Sequence, residues 1–150
     1  MRDVIATQAD ALRVVRVFPV TVERLYQALV TEAEVAAWLH PGSLQCAECR
    51  WPALAGASWR LVMVNAEGKR FSVGGRVLEV AANRRLVFTW VWEEGEFAGI
   101  ETTVTASVGT HAGGAELTLV HVGLPNAAAR QVHEGGWNST LENLAGRLAA

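Results

Sequence analysis

HEGGWNSTLENLAGRLAA, residues His133 to Ala150, carries the strongest helical pattern in the chain. Trp137, Leu141, Leu144 and Leu148 follow one another at spacings of four, three and four, which draws an apolar stripe along one helical face. His133 lies one turn before Trp137 and shares that stripe. Glu134, Asn138, Glu142, Asn143 and Arg147 mostly take other faces. A helix of this kind must bury its stripe against another layer. Gly135–Gly136 costs about 1 kcal/mol per glycine relative to alanine in a helix interior. The pair therefore points to close approach of helix and sheet, or to a break. A continuous helix is expected, with a kink and a restart capped by Ser139 and Glu142 as the alternative.

Upstream, the pattern changes from helical to extended. Leu12 to Phe18 (LRVVRVF) has the length and β-branched content of a first strand, and Pro19 ends it. Thr21 is placed to cap a helix carrying Val22, Leu25, Tyr26 and Leu29. A second short helix is expected from the T-x-x-E box of Thr31 and Glu34, with Val35, Trp38 and Leu39 as its apolar face. His40-Pro41-Gly42 stops it. From Leu44 to His121 the signals are strands. Trp59, Leu61 and Met63 alternate around Arg60. Asn65 to Lys69 reads as a turn, and Phe71 to Val80 as the next strand. Gly74–Gly75 within that strand marks a bulge or a close backbone approach. Leu86, Phe88, Trp90 and Trp92 line one strand face, and Glu93 to Glu96 form a charged turn. Ile100, Thr102, Val104, Ala106 and Val108 alternate with polar residues. After a turn at Thr110 to Gly114, Ala115, Leu117, Leu119 and His121 share the inner face of the last strand. The order is strand, two short helices, five or six antiparallel strands, long helix. This is an α+β chain in which a curved antiparallel sheet, covered on one face, wraps the C-terminal helix.

With 150 residues and 51% hydrophobic content, a single domain with a sizeable core is expected. No apolar run approaches the roughly 18–20 residues of a membrane-spanning helix, and the N-terminus lacks the apolar segment of a signal peptide. Thirteen basic and fifteen acidic residues give a net charge of −2, with no concentrated basic face for nucleic acid. Two cysteines make no disulfide framework, which suits a reducing compartment. A cytoplasmic protein is expected.

The chain resembles the helix-grip fold of the START-like (SRPBCC) superfamily, and within it the branch named for the activator of heat-shock protein 90 ATPase and its homologues. The resemblance runs from about Val14 to Leu148. It rests on Val22-Glu23-Arg24-Leu25-Tyr26 before Glu34 and Trp38, on Gly56 before Trp59-Arg60, and on Gly75 to Val80 before Arg85 to Trp90. Leu117 to Pro125 and His133 to Trp137, with Leu141 and Leu144, complete it. What the resemblance implies is a deep, largely apolar cavity between the concave sheet and the long helix. The superfamily uses that cavity for lipids, sterols, polyketides and other hydrophobic small molecules, in carriers, sensors and a minority of enzymes. The family's namesake stimulates a chaperone ATPase but carries a further N-terminal domain for which this chain has no room.

His121 and His133 are the candidate polar groups of such a cavity, one ending an inner strand face and the other on the helix stripe. Both could hydrogen-bond the polar head of a ligand. Alternatively, each bonds a backbone carbonyl or caps the helix entry. Trp38, Trp59, Trp90 and Trp137 come from separate elements with inward faces, so they should converge, either to line a cavity or to fill the core. Phe88 and Leu141 belong to the same inner faces. These eight residues form the candidate ligand site. HEGGW departs from the HExxH zinc signature because Trp137 stands where the second histidine should be, so no metal site is expected. Cys46 and Cys49 (CAEC) lack a second ligand pair, and on a regular strand an offset of three sends them to opposite faces. They are expected to be ordinary thiols.

The primary functional expectation is a non-catalytic carrier or sensor that binds a hydrophobic small molecule, with no cofactor. The partner is that small molecule rather than nucleic acid or membrane, and a homodimer is a possible assembly. One alternative is an enzyme using the same cavity, a cyclase or hydrolase of polyketide-like substrates, with His121 or His133 as acid–base group assisted by Glu134. Another is a co-chaperone-like interaction, which would need an exposed apolar patch.

Overall fold

The computed structural model describes residues 10–149. The N-terminal reading and the last residue of the expected helix, Ala150, lie outside that range. Seven antiparallel strands form one sheet in the order β1-β7-β6-β5-β4-β3-β2. They are β1 (Leu12–Phe18), β2 (Gln45–Arg50), β3 (Ser58–Val64), β4 (Arg70–Ala81), β5 (Arg85–Trp92), β6 (Thr102–His111) and β7 (Gly114–Val122). Helices α1 (Val22–Val30) and α2 (Glu32–Trp38) connect β1 to β2, and α3 (Ala127–Ala149) follows β7. This is the curved sheet gripping one long C-terminal helix that the alternations imply.

The inner face of the sheet is set strand by strand by period-two alternation. Trp59, Leu61 and Met63 on β3, Leu86, Phe88 and Trp90 on β5, Val104 and Ala106 on β6, and Leu117, Leu119 and His121 on β7 are all buried. Strand β6 begins at Thr102, two residues later than its alternation suggests, because Ile100 still belongs to the preceding turn. The stripe of α3 presses on this face through His133, Trp137, Leu141, Leu144 and Leu148, all buried.

Several local expectations need correction. Helix α3 starts at Ala127, not near His133: Asn126 caps it, its Oδ1 accepting the Ala129 N–H at 2.8 Å. Three alanines and an arginine supply its first turn, so its beginning has almost no apolar stripe. The helix runs without a break through Gly135–Gly136, and a Cβ built at either position would meet nothing within 4 Å. Close helix–sheet approach is therefore not what these glycines provide.

Thr31 does not form a side-chain cap. Glu34 instead turns inward between two guanidinium groups, Arg24 Nη2 at 2.9 Å and Arg147 Nε at 3.1 Å. It thereby ties α1, α2 and α3 together. Thr21 does cap α1, its Oγ1 accepting the Arg24 N–H at 3.0 Å. On β2, a bulge between Cys46 and Glu48 shifts the register, so Cys46 pairs with Met63 and Cys49 with Leu61. Those partners are two residues apart, so the thiols share one face rather than opposite ones. Gly74 and Gly75 do mark a close approach, since a Cβ on Gly75 would collide with the Thr89 carbonyl of β5.

Candidate functional site

A cavity of about 370 Å³ opens between the β3–β5 end of the sheet and the first half of α3. Its sheet wall is Met63, Phe71, Trp90 and Trp92. Its helix wall is Val132, His133, Gly136, Trp137 and Thr140. Leu39, His40 and Pro41 close one side, and Glu94 to Phe97 of the β5–β6 turn form the rim. Val132 is 60% exposed, which marks where the cavity meets solvent. The volume lies within the roughly 300–1,000 Å³ usual for small-molecule sites. A larger surface depression of about 560 Å³, between Pro19 to Glu23 and Thr110, Gly113 and Gly114, is shallower and carries no aromatic side chain in its lining.

Gly136 is part of the reason that space exists. It faces the cavity on the α3 stripe side, and a side chain there would project into open space. The helical cost of this glycine thus coincides with volume kept clear between helix and sheet.

The expected site residues divide into three groups. Trp90, His133 and Trp137 line the cavity. His121 lies directly behind them, its ring 5.9 Å from Trp90, 6.1 Å from Trp137 and 5.3 Å from His133. Trp38, Trp59, Phe88 and Leu141 are placed in the solid core, away from the cavity wall. Trp38 donates to the Ala28 carbonyl at 2.8 Å and Trp59 to the Thr89 carbonyl at 2.9 Å. Trp51, absent from the sequence reading, completes that core: it meets Trp59 at 5.0 Å and Phe88 at 5.1 Å and donates to the Leu29 carbonyl. Between Trp38, Trp51, Phe88 and Trp137 only about 10 Å³ remains, so this end is filled by side chains.

The two histidines are locked by indoles. Trp137 Nε1 donates to His121 Nδ1 at 3.1 Å. This assigns the His121 proton to Nε2, which donates to Thr102 Oγ1 at 2.8 Å, and Thr102 in turn donates to the Trp90 carbonyl at 2.8 Å. Likewise Trp92 Nε1 donates to His133 Nε2 at 3.0 Å, and His133 Nδ1 donates to the Ala129 carbonyl one turn back at 2.8 Å. All four ring nitrogens are engaged. Burial holds the His121 imidazole down to about 3, and neighbouring His133 pushes in the same direction. Burial also lowers His133, outweighing the opposing effect of its bond to Ala129. Both rings are therefore neutral at pH 7.

Glu134, considered as a helper to these histidines, is exposed on the outer side of α3. Among the described residues no three His, Cys, Asp or Glu side chains gather as a metal site. Cys49 is pushed up to about 12, chiefly by burial, so its thiol stays protonated. Among the described residues no helix is long and apolar enough to cross a membrane.

Met63, Phe71, Trp92, Phe97 and Val132 were not singled out as site residues by sequence. For Trp92 a signal existed, its place on the aromatic face of β5. Phe97 and Val132 sit in a turn and on the flank of α3, where periodicity says nothing.

A family model described as Activator of Hsp90 ATPase homolog 1-like protein matches residues 19–149. The AHSA1 protein of Silicibacter pomeroyi is 33% identical, with a TM-score of 0.86, over 93% of this chain and 97% of that one. A Chromobacterium violaceum protein is 26% identical with a TM-score of 0.84, covering 95% of this chain and 99% of its own. DynU16, described as a protein in the dynemicin biosynthetic locus, is 25% identical with a TM-score of 0.71, covering 94% of this chain and 48% of its own. Comparison with curated proteins finds no match.

Proposed function

This chain belongs to the Activator of Hsp90 ATPase homolog 1-like family, and from that premise we propose that it binds a hydrophobic small molecule in the sheet–helix cavity, as a non-catalytic carrier or sensor acting in the cytoplasm. The observation that carries the proposal is the wall of the 370 Å³ cavity, which Met63, Phe71, Trp90, Trp92, Phe97 and Trp137 line together. Removing apolar ligand surface from water gains about 25 cal/mol per Å², and such a wall offers little else. The partner is a small molecule rather than nucleic acid or a membrane. Similarity to a protein of a biosynthetic locus supports a role beside small-molecule metabolism.

Catalysis is the weaker reading. A general base must offer a free lone pair within reach of the substrate. His121 and His133 are close together, yet each spends its only lone pair on an indole N–H. A co-chaperone-like role would call for a contiguous exposed apolar face. The exposed Val15 and Val17 lie on β1, whereas Leu78 and Val80 lie on β4, with three strands between.

Native mass spectrometry of the freshly purified protein, repeated after incubation with excess fluorene, tests the proposal. A one-to-one complex that dissociates on collisional activation is expected, whether with a co-purified molecule or with the added hydrocarbon. Bare protein mass in both samples would overturn it.

A further inference from the structure

Trp90 Nε1 is the single buried side-chain nitrogen or oxygen among the described residues that lacks a hydrogen-bond partner. Buried donors in folded proteins are almost always satisfied, so an unsatisfied one needs a reason. Trp90 is 7% exposed and forms part of the cavity wall. Its ring neighbours are Trp59, Trp92, Trp137 and His121, at 5.2 to 5.9 Å between centroids. None of them has an acceptor to spare. The indoles carry only donors, and these already serve Thr89, His133 and His121. The single lone pairs of His121 and His133 are taken by those same bonds.

The charge around the cavity is equally one-sided. Glu94 and Glu96 sit at the rim, and no lysine or arginine belongs to the lining. The Glu94 carboxylate accepts the Ser72 N–H. Of the two lining histidines, His133 is held neutral by burial, and His40 turns its ring nitrogens to the backbone carbonyls of Pro41 and Ala37, at 3.0 and 3.2 Å, so neither is left for a ligand. An anionic ligand would leave water for a site with no lysine or arginine in its lining and two carboxylates at its mouth.

We propose that the cavity selects an uncharged aromatic molecule carrying a hydrogen-bond acceptor, a carbonyl or ether oxygen that takes the Trp90 N–H, and that it rejects carboxylates. The inference rests on the small-molecule reading above and names the ligand chemistry for that same site. Binding then satisfies a donor that the protein alone leaves unmatched, so the acceptor contributes more than an ordinary exchange of water for protein would. The surrounding indole–imidazole bonds commit the Trp92 and Trp137 N–H groups, which leaves Trp90 as the wall's one indole with an uncommitted donor.

Three probes of one skeleton separate the possibilities: fluorene, 9-fluorenone and fluorene-9-carboxylate, titrated calorimetrically in dilute dimethyl sulfoxide. The expected order is ketone tightest, about tenfold over the hydrocarbon, with the carboxylate weakest by a similar factor. Trp90→Phe, which keeps an aromatic ring but removes the donor, should bring the ketone-to-hydrocarbon ratio close to one whatever happens to the absolute affinities. The ratio in the unsubstituted protein decides even if that variant does not fold. Equal binding of ketone and hydrocarbon would overturn the acceptor role, as expected if the Trp90 N–H instead points at a neighbouring ring face, and would leave the small-molecule reading standing. Carboxylate binding equal to or tighter than fluorene would overturn the charge selection. Binding of none of the three would overturn the small-molecule reading, and this inference with it.

Discussion

Trp92, at the end of β5, donates its indole N–H to Nε2 of His133, nearly two turns into α3, across 3.0 Å. One layer deeper the same pairing is repeated in the other direction, with helix Trp137 donating to strand His121 at 3.1 Å. The sheet and helix are thus joined beside the cavity by two indole–imidazole bonds, and each bond favours the neutral form of its histidine. Replacing Trp92 with phenylalanine keeps an aromatic wall but frees the His133 lone pair. The His133 pKa should rise, by proton NMR titration of its ring, and stability should fall by about 1 kcal/mol. An unmoved His133 titration would show that the bond has no influence on its protonation.

Stability should decline on mild acidification. His121 is held at about 3 in the folded protein against an ordinary value of 6.5, so the unfolded chain binds the proton first. Its contribution is complete above pH 6.5 and is lost progressively as pH falls below that value. The loss amounts to about 1.4 kcal/mol at pH 5.5 for this one group. Glu34, Glu79 and Glu93, all lowered from 4.5, lose their contribution only at more acid pH, so they leave this window alone. Thermal melts between pH 7 and pH 5 check the slope. His121→Gln, which keeps a donor and an acceptor but cannot titrate, should reduce it to the part that His133, also lowered by burial, contributes.

The adjacent glycines Gly135 and Gly136 of α3 should respond differently. Gly135 is exposed, and Gly135→Ala should stabilise the protein by about 1 kcal/mol without affecting ligand uptake. Gly136→Leu also improves helix propensity but fills the cavity. It should melt no lower than the parent and lose binding. A Gly136→Leu protein that still binds fluorene normally would place the ligand elsewhere.

Glu34 is 7% exposed, and burial raises its pKa, yet hydrogen bonds from Arg24 and Arg147 outweigh that and hold the carboxyl below its usual range. Glu34→Gln should cost about 1–3 kcal/mol in urea unfolding, because bonds to a charged group weaken while two arginines remain. A cost near zero would make the network a surface feature of little consequence.

Much of this was legible in the chain because period-two alternation and the α3 stripe are long signals. Face assignment alone puts both histidines, Trp90 and Trp137 on inward faces, and the packing of sheet and helix brings each ring within about 6 Å of another. What stayed hidden depended on single irregularities. The bulge at Cys46–Glu48 reverses the expected faces of the two thiols. Asn126 before three alanines is a start signal for α3, but alanine draws no stripe, so the helix seemed to begin at its first large residue. Trp38, Trp59 and Phe88 share inner faces with Trp90, and only their tertiary packing with Trp51 shows that their end of the core is filled. The glycine pair is legible as an anomaly; that Gly136 keeps a cavity clear depends on how far the sheet wall stands from the helix.

Indole N–H resonances test the central claim most directly, since six tryptophans report from both ends of the core. In a proton–nitrogen correlation spectrum, titration with fluorene should shift Trp90, Trp92 and Trp137 together and saturably, leaving Trp38 and Trp51 nearly still. A spectrum in which none of the six moves, or in which Trp38 and Trp51 move instead, would contradict a ligand site between the β3–β5 wall and helix α3.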